Sequence, residues 1–287
     1  MKNKLRVLIA GCGYVGKALA AHLVGLDYSV YTLSRSEQHI DGANHICTDL
    51  NQIDPTLLPE VDIIFYLAAP DTRTEIAYEL TYVKCLKNLL QHQDELNAKR
   101  LIFASSTVVY AENAGNWINE LSTLRDDNFR ARIMHKAEEV ALELAPSPII
   151  ARISAIYGPN RHRLFDQVRA QQRFPANDPI YSNRIYITDL VYALEHLIHI
   201  QLGEQIYNIT DQSPTPINTI LSWLATKEGK QLPNAENLTE VDLNHLKNRK
   251  ISCEKLLGSG FSHQFSSFKQ GFNHIFKLEQ AKRLLDY

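Results

Sequence analysis

The turn Gly11-Cys12-Gly13-Tyr14-Val15-Gly16 lies between the apolar run Leu5 to Ala10 and the alanine-rich stretch Lys17 to Val24. No other feature constrains the fold as much. A strand that feeds a helix through three glycines turns tightly at the first, lets a pyrophosphate approach the backbone at the second, and packs helix on sheet at the third. The free N–H groups and macrodipole of the helix N-terminus favour the phosphates. The spacing therefore predicts a dinucleotide cradle built from Gly11, Gly13, Tyr14, Val15 and Gly16. The alternative is a glycine-rich turn with no ligand.

The choice of dinucleotide falls to the end of the second strand, expected at Ser29 to Leu33. An NAD site places an acid there, about 20 residues beyond the glycines, to hold the ribose hydroxyls. This chain has Ser34, then Arg35 flanked by Ser36. A cation and hydroxyl donors in place of a carboxylate suit the 2′-phosphate of NADP, so NADP is expected over NAD. The competing reading makes Arg35 a solvated arginine at a strand end.

Further short apolar runs follow at Val61 to Leu67, Arg100 to Ala104 and Pro148 to Ile153, each with the composition of a buried parallel strand. Between them, Ile76 to His92 carries Ile76, Leu80, Val83, Leu86, Leu89 and Leu90 near the helical period. This alternation predicts an α/β fold with a Rossmann-type doubly wound parallel sheet. Ligands of such sheets bind beyond the carboxyl ends of the strands, which places Ala68-Ala69-Pro70, Ser105-Ser106-Thr107 and Ser154-Ala155-Ile156 toward the crevice. After Gly158-Pro159 the rhythm is lost. Residues 1–158 are expected to form the cofactor domain, completed by elements around 184–212, with 159–183 and 213–287 forming a small substrate lobe. In the later part, Thr188 or Asp189 is a candidate N-cap for a helix through Ile198, a strand is expected at Gln205 to Ile209, and Pro214-Thr215-Pro216 introduces another helix.

The 287 residues are 45% apolar and 22% charged, enough for one large core with a smaller lobe, and a net charge of −2 offers no field for nucleic acid. Cys12, Cys47, Cys85 and Cys253 show neither metal spacing nor a small-domain disulfide pattern, which predicts a reducing compartment and no metal. Met1-Lys2-Asn3-Lys4 before an apolar run resembles a signal peptide. Cleavage after it would delete the phosphate turn, and the run is far shorter than the roughly 20 residues of a membrane span, so a cytoplasmic, non-membrane protein is expected.

Taken together, the chain resembles the extended short-chain dehydrogenase/reductases in their NAD(P)-dependent epimerase/dehydratase branch. The likeness rests on Gly11 to Gly16, Asp49-Leu50, Tyr66-Leu67-Ala68-Ala69, Ser105 to Tyr110, Arg152 with Tyr157-Gly158-Pro159, and Asn183 to Leu190. It implies that Asp49 and Leu50 lie along the adenine, Leu67, Ala68 and Ala69 along the ribose and phosphates, and Arg184 near the substrate lobe. It also implies a small-molecule substrate, anionic or a nucleotide sugar, and favours a homodimer.

One departure bears on the chemistry. Family members that move a hydride carry Tyr-x-x-x-Lys, and here the stretch is Arg132-Ile133-Met134-His135-Lys136. Lys136 matches the residue that holds the nicotinamide ribose. Arg132 stands at the tyrosine position, and a guanidinium stays protonated at any working pH, so it cannot relay a proton as a phenol of pKa about 10 lowered by lysine can. Ser106 occupies the position that orients a reacting oxygen, or else caps backbone at a strand end. Tyr110 and His135 are weaker proton donors by position. Arg132 could instead hold a carboxylate or phosphate. The expected function is an atypical NADP(H)-dependent oxidoreductase, or a nucleotide-sugar epimerase or reductase, with Ser106 and Lys136 as catalytic residues. The alternative is a non-catalytic NADP(H)-binding sensor.

Overall fold

The structure is a computed structural model that describes residues 4–161, 163–170, 174–175, 179–201, 205–231, 235–236 and 248–285. The signal-like residues Met1-Lys2-Asn3 and parts of the 159–183 and 213–287 stretches lie outside the described residues. The chain divides into two compact units, one of Met1–Tyr110, Leu124–Ile153 and Val191–Tyr207, the other of Ala111–Thr123, Ser154–Leu190 and Asn208–Tyr287.

The first unit is built on a sheet of strands β1 (Arg6–Ala10), β2 (Ser29–Ser34), β3 (Ala43–Cys47), β4 (Ile63–Tyr66), β5 (Arg100–Ser106), β6 (Ile149–Ile153) and β7 (Ile206–Ile209), whose last two residues fall in the second unit. Their order is β7-β6-β5-β4-β1-β2-β3. The five pairs from β6 across to β3 are parallel. Every residue of β4 and β6 is buried, as a sheet covered on both faces requires. The doubly wound α/β expectation is met. Strand β3 went unread because it is an edge strand with no fully buried residue, so Ala43-Asn44-His45-Ile46-Cys47 lacks an apolar run.

Helix α1 (Tyr14–Gly25) follows the glycine turn directly. The helix expected at Ile76 to His92 begins instead at Glu75. It comprises α2 (Glu75–Tyr78), a π segment at Glu79–Lys84 and α3 (Cys85–Leu90). Thr74 caps it by accepting the Ala77 N–H. The i→i+5 turns of the π segment re-phase the apolar stripe: Val83, Leu86, Leu89 and Leu90 are buried, whereas Ile76 is 82% exposed and Leu80 also faces water. Two residues of the expected stripe therefore do not reach the core. Helix α4 (Phe129–Leu144) starts at Asn128, whose Oδ1 accepts the Ala131 N–H at 3.0 Å, and buries Ala131, Met134, Ala137 and Ala141 on one face.

In the second unit, Ala155–Tyr157 pairs in parallel with Arg184–Tyr186, and the helix at Ile217–Lys227 follows Pro214-Thr215-Pro216 as expected. Its core is aromatic: Trp223 packs edge-on against Phe268 at 5.6 Å, and Phe272 lies 4.8 Å from Tyr157. The helix expected to be capped at Thr188 or Asp189 already runs from Ile187 to Ile198. Asp189 is fully buried, and its carboxylate accepts the N–H groups of Gln264 and Phe265 at 2.8 and 2.9 Å. That acid ties a distant loop instead of capping its own helix. Among the described residues no helix is long and apolar enough to cross a membrane, and no group of three or more His, Cys, Asp or Glu is placed to hold a metal.

Candidate functional site

The three glycines of the first turn have different jobs. Gly11 has φ +109° and donates its N–H to the Leu33 carbonyl at 2.9 Å, while Leu67 donates to the Ala10 carbonyl at 2.8 Å. The turn is thereby stitched to the carboxyl ends of β2 and β4. A Cβ at Gly11 would meet the Ala68 nitrogen at 2.4 Å, and one at Gly16 the Gly11 carbonyl oxygen at 2.2 Å, so both are required by the fold itself. At Gly13 a Cβ would meet nothing within 4 Å. The space beside Gly13 is open, and glycine there leaves the backbone approachable as well as suiting the start of the helix. Gly13 is the N-cap of α1, and the first turn carries no acid, so the helix end is fit for an anion. Cys12 is buried, and burial pushes its thiol pKa up, which makes it a filler and not a nucleophile.

At the end of β2, Ser34 Oγ donates to the Ser36 carbonyl at 2.9 Å. Arg35 Nη2 donates to both carboxylate oxygens of Asp71, at 2.8 and 2.7 Å, and this contact raises the guanidinium pKa. A carboxylate from the loop after β4 thus meets the arginine that follows β2. Asp49 is exposed and accepts the Asn51 N–H, Leu50 beside it is buried, and after β4 Leu67 and Ala68 are half-buried and Ala69 is exposed.

Ser106 ends β5, and its Oγ accepts the Val108 N–H at 3.2 Å, capping a short 3-10 turn. Lys136 Nζ lies 2.6 Å from Glu79 Oε1, and Arg132 Nη2 lies 2.5 Å from Glu75 Oε1. Two cations four residues apart on α4 therefore face two carboxylates four residues apart on the neighbouring helical run. No hydrogen bond or ion pair joins Ser106 to Lys136 among the described residues. Glu75 and Glu79 were not read as site residues, although the matched spacing of opposite charges was a usable signal. His135 is 43% exposed and faces Glu139 at 3.9 Å. Tyr110 is fully buried with the Arg152 guanidinium 5.0 Å above its ring.

A buried network also escaped the sequence reading. Glu138 on α4 takes two donors from Arg152, Nη2 at 2.7 Å and Nε at 3.0 Å, and a close hydrogen bond from Ser105. Although burial works against the charge, Glu138 holds the Arg152 pKa above the ordinary arginine value. This cluster joins α4 to β5 and β6 within the strand ends that carry Ser106. In the second unit, Arg184 has its Nε buried with no hydrogen-bond partner, and burial lowers its pKa to about 10. Asp211 is buried and pushed up to about 8 by desolvation, against the pull of the Ser213 N–H and the Arg184 charge.

A parallel sheet entered through an open glycine turn, with strand ends gathered round it, defines a Rossmann-type dinucleotide-binding protein of the extended reductase and epimerase class. Residues 7–209 match the model of the NAD dependent epimerase/dehydratase family, and the chain belongs to that family. A structure from Methylobacillus flagellatus, described as an NAD-dependent epimerase/dehydratase, is 28% identical with a TM-score of 0.80, covering 97% of this chain and 100% of that one. MoeE5, solved with UDP-glucuronic acid and NAD, is 20% identical with a TM-score of 0.83 over 96% and 99% of the two chains. UDP-glucuronic acid 4-epimerase from Bacillus cereus, solved with NAD, is 17% identical with a TM-score of 0.77 over 96% and 98%. No curated protein matches the sequence.

Proposed function

We propose that this chain binds a nicotinamide dinucleotide at the β1–α1 turn and acts on a carbonyl or alcohol of a small anionic substrate, of the nucleotide-sugar kind. The observation that carries this reading is Gly13, an open glycine at a helix N-terminus inside a family match spanning residues 7–209. MoeE5, which shares this fold, was solved with UDP-sugars and NAD. Gly11, Tyr14, Val15 and Gly16 form the rest of the cradle. Ser34 and Arg35 meet the adenosine ribose and favour NADP(H), Asp49 and Leu50 lie along the adenine, and Leu67 to Ala69 border the ribose and phosphates.

The bound nicotinamide supplies or accepts a hydride. The chain's own contribution is positional: Ser106 orients the reacting oxygen through its hydroxyl, and Lys136 exchanges Glu79 for the nicotinamide ribose. Arg132 remains charged and moves no proton; its fork is suited to a carboxylate or phosphate. Arg184, with a buried unsatisfied Nε, is a second candidate to hold an anionic group.

A second reading has its own support. Arg132 and Lys136 are both occupied by carboxylates, which suits a non-catalytic NADP(H) sensor in which coenzyme binding displaces Glu79. Incubation with NADPH and a panel of carbonyls and nucleotide sugars, followed by absorbance, product analysis and thermal melts, separates the two. Oxidation or an epimerised product supports the enzyme. Coenzyme-dependent stabilisation without turnover, together with no gain of reductase activity in Arg132→Tyr, supports the sensor.

A further inference from the structure

Arg35 and Asp71 are 36 residues apart in sequence, yet one guanidinium nitrogen is shared between both oxygens of the carboxylate, at 2.8 and 2.7 Å. Their side chains are 61% and 67% exposed. Neither side chain makes another hydrogen bond or ion pair among the described residues. An exposed pair of this kind adds little to folding, so stability does not explain why a carboxylate is held here. The place does: Arg35 directly follows β2, where a dinucleotide-binding sheet distinguishes a ribose hydroxyl from a ribose phosphate.

We propose that Asp71 is a coenzyme-selectivity residue that moderates the preference set by Arg35; the proposal rests on the dinucleotide reading above. A 2′-phosphate on Arg35 meets a guanidinium whose charge Asp71 already offsets, and it brings a second anion against the carboxylate. Binding NADP(H) therefore costs the repulsion between two anions held at one guanidinium. A 2′-hydroxyl carries no charge, leaves the pair closed and can donate to the carboxylate. Asp71 thus brings a carboxylate to the arginine that follows β2, and the chain supplies it from the loop after β4. Asp49 adds to the same effect, because its charge also acts on Arg35. The site accepts both coenzymes, with arginine and aspartate pulling in opposite directions.

The test is calorimetric titration of the full chain with NADPH and with NADH, using wild type, Asp71→Asn, Arg35→Ser and the double variant, each first checked by a thermal melt. Asp71→Asn is expected to raise the NADPH-to-NADH affinity ratio about fivefold, the scale of an exposed charge contact, and the gain shrinks in 0.5 M salt, a condition fixed by the experiment and chosen for screening at about a few ångströms. Arg35→Ser lowers the ratio, and adding Asp71→Asn to it changes the ratio less than in the wild-type background. A folded Asp71→Asn protein whose ratio stays within about twofold of wild type overturns the selectivity proposal while leaving the dinucleotide reading intact. Failure of folded wild type to bind either coenzyme overturns both.

Discussion

Glycines 11, 13 and 16 look alike in the sequence, yet the atoms around them tie two to the fold and leave the third open, where we propose the pyrophosphate lies. Gly13→Val should fold, melting a few degrees lower for the loss of a favoured N-cap residue, and lose coenzyme binding, because its side chain enters the open space proposed for the phosphates. Gly11→Val should be hard to fold, having both a positive φ and a backbone clash. At Glu138 the issue is charge: Arg152→Met leaves a buried carboxylate without its guanidinium and should cost about 3–5 kcal/mol in urea unfolding. Asp211 sets a pH dependence. Its folded pKa of about 8 lies above the unfolded carboxylate value, so its stabilising contribution is full below pH about 4 and is lost as pH rises to about 8. Asp211→Asn should flatten that slope and raise stability at pH 8 by on the order of 2 kcal/mol, read from unfolding curves at several pH values. The glycine turn was legible because its spacing is local. Asp71 and Glu138 were not, and Ser105 was read only as part of a crevice-facing strand end, because their partners are brought in from distant parts of the chain.

Helix α4 and the run from Glu75 to Leu90 meet through two ion pairs in matched spacing. Each pair is substantially exposed and contributes at most about 1 kcal/mol, so the ladder's interest is in what it occupies. In the proposed site Glu79 offsets the Lys136 charge that a ribose would draw on. Glu79→Gln should therefore tighten coenzyme binding by about fivefold with little change in melting temperature, while Lys136→Met weakens it by about tenfold. Both are read by titration, and equal affinity in all three proteins would remove Lys136 from the coenzyme site. Among the elements, the buried strands announced themselves as apolar runs. The edge strand Ala43–Cys47 did not, since half-exposed residues carry no such signature. The helix from Glu75 was visible, but the phase of its apolar face was not, because a π segment shifts the register without any composition to mark it.

On the scale of the whole molecule, the first turn and the alternation of strands and helices were enough to place the chain in a doubly wound α/β class, and the family match over residues 7–209 agrees. The later region was less readable: its core is an aromatic cluster around Trp223, Phe268 and Phe272, assembled from separate segments with no single periodic pattern. The claim on which function depends is that the open glycine of the β1–α1 turn receives a pyrophosphate. Calorimetric titration of wild type and Gly13→Val with NADPH at neutral pH tests it most directly. Saturable one-to-one binding by wild type and none by a folded Gly13→Val protein is the predicted result; no binding by folded wild type, or equal binding by both, would contradict it.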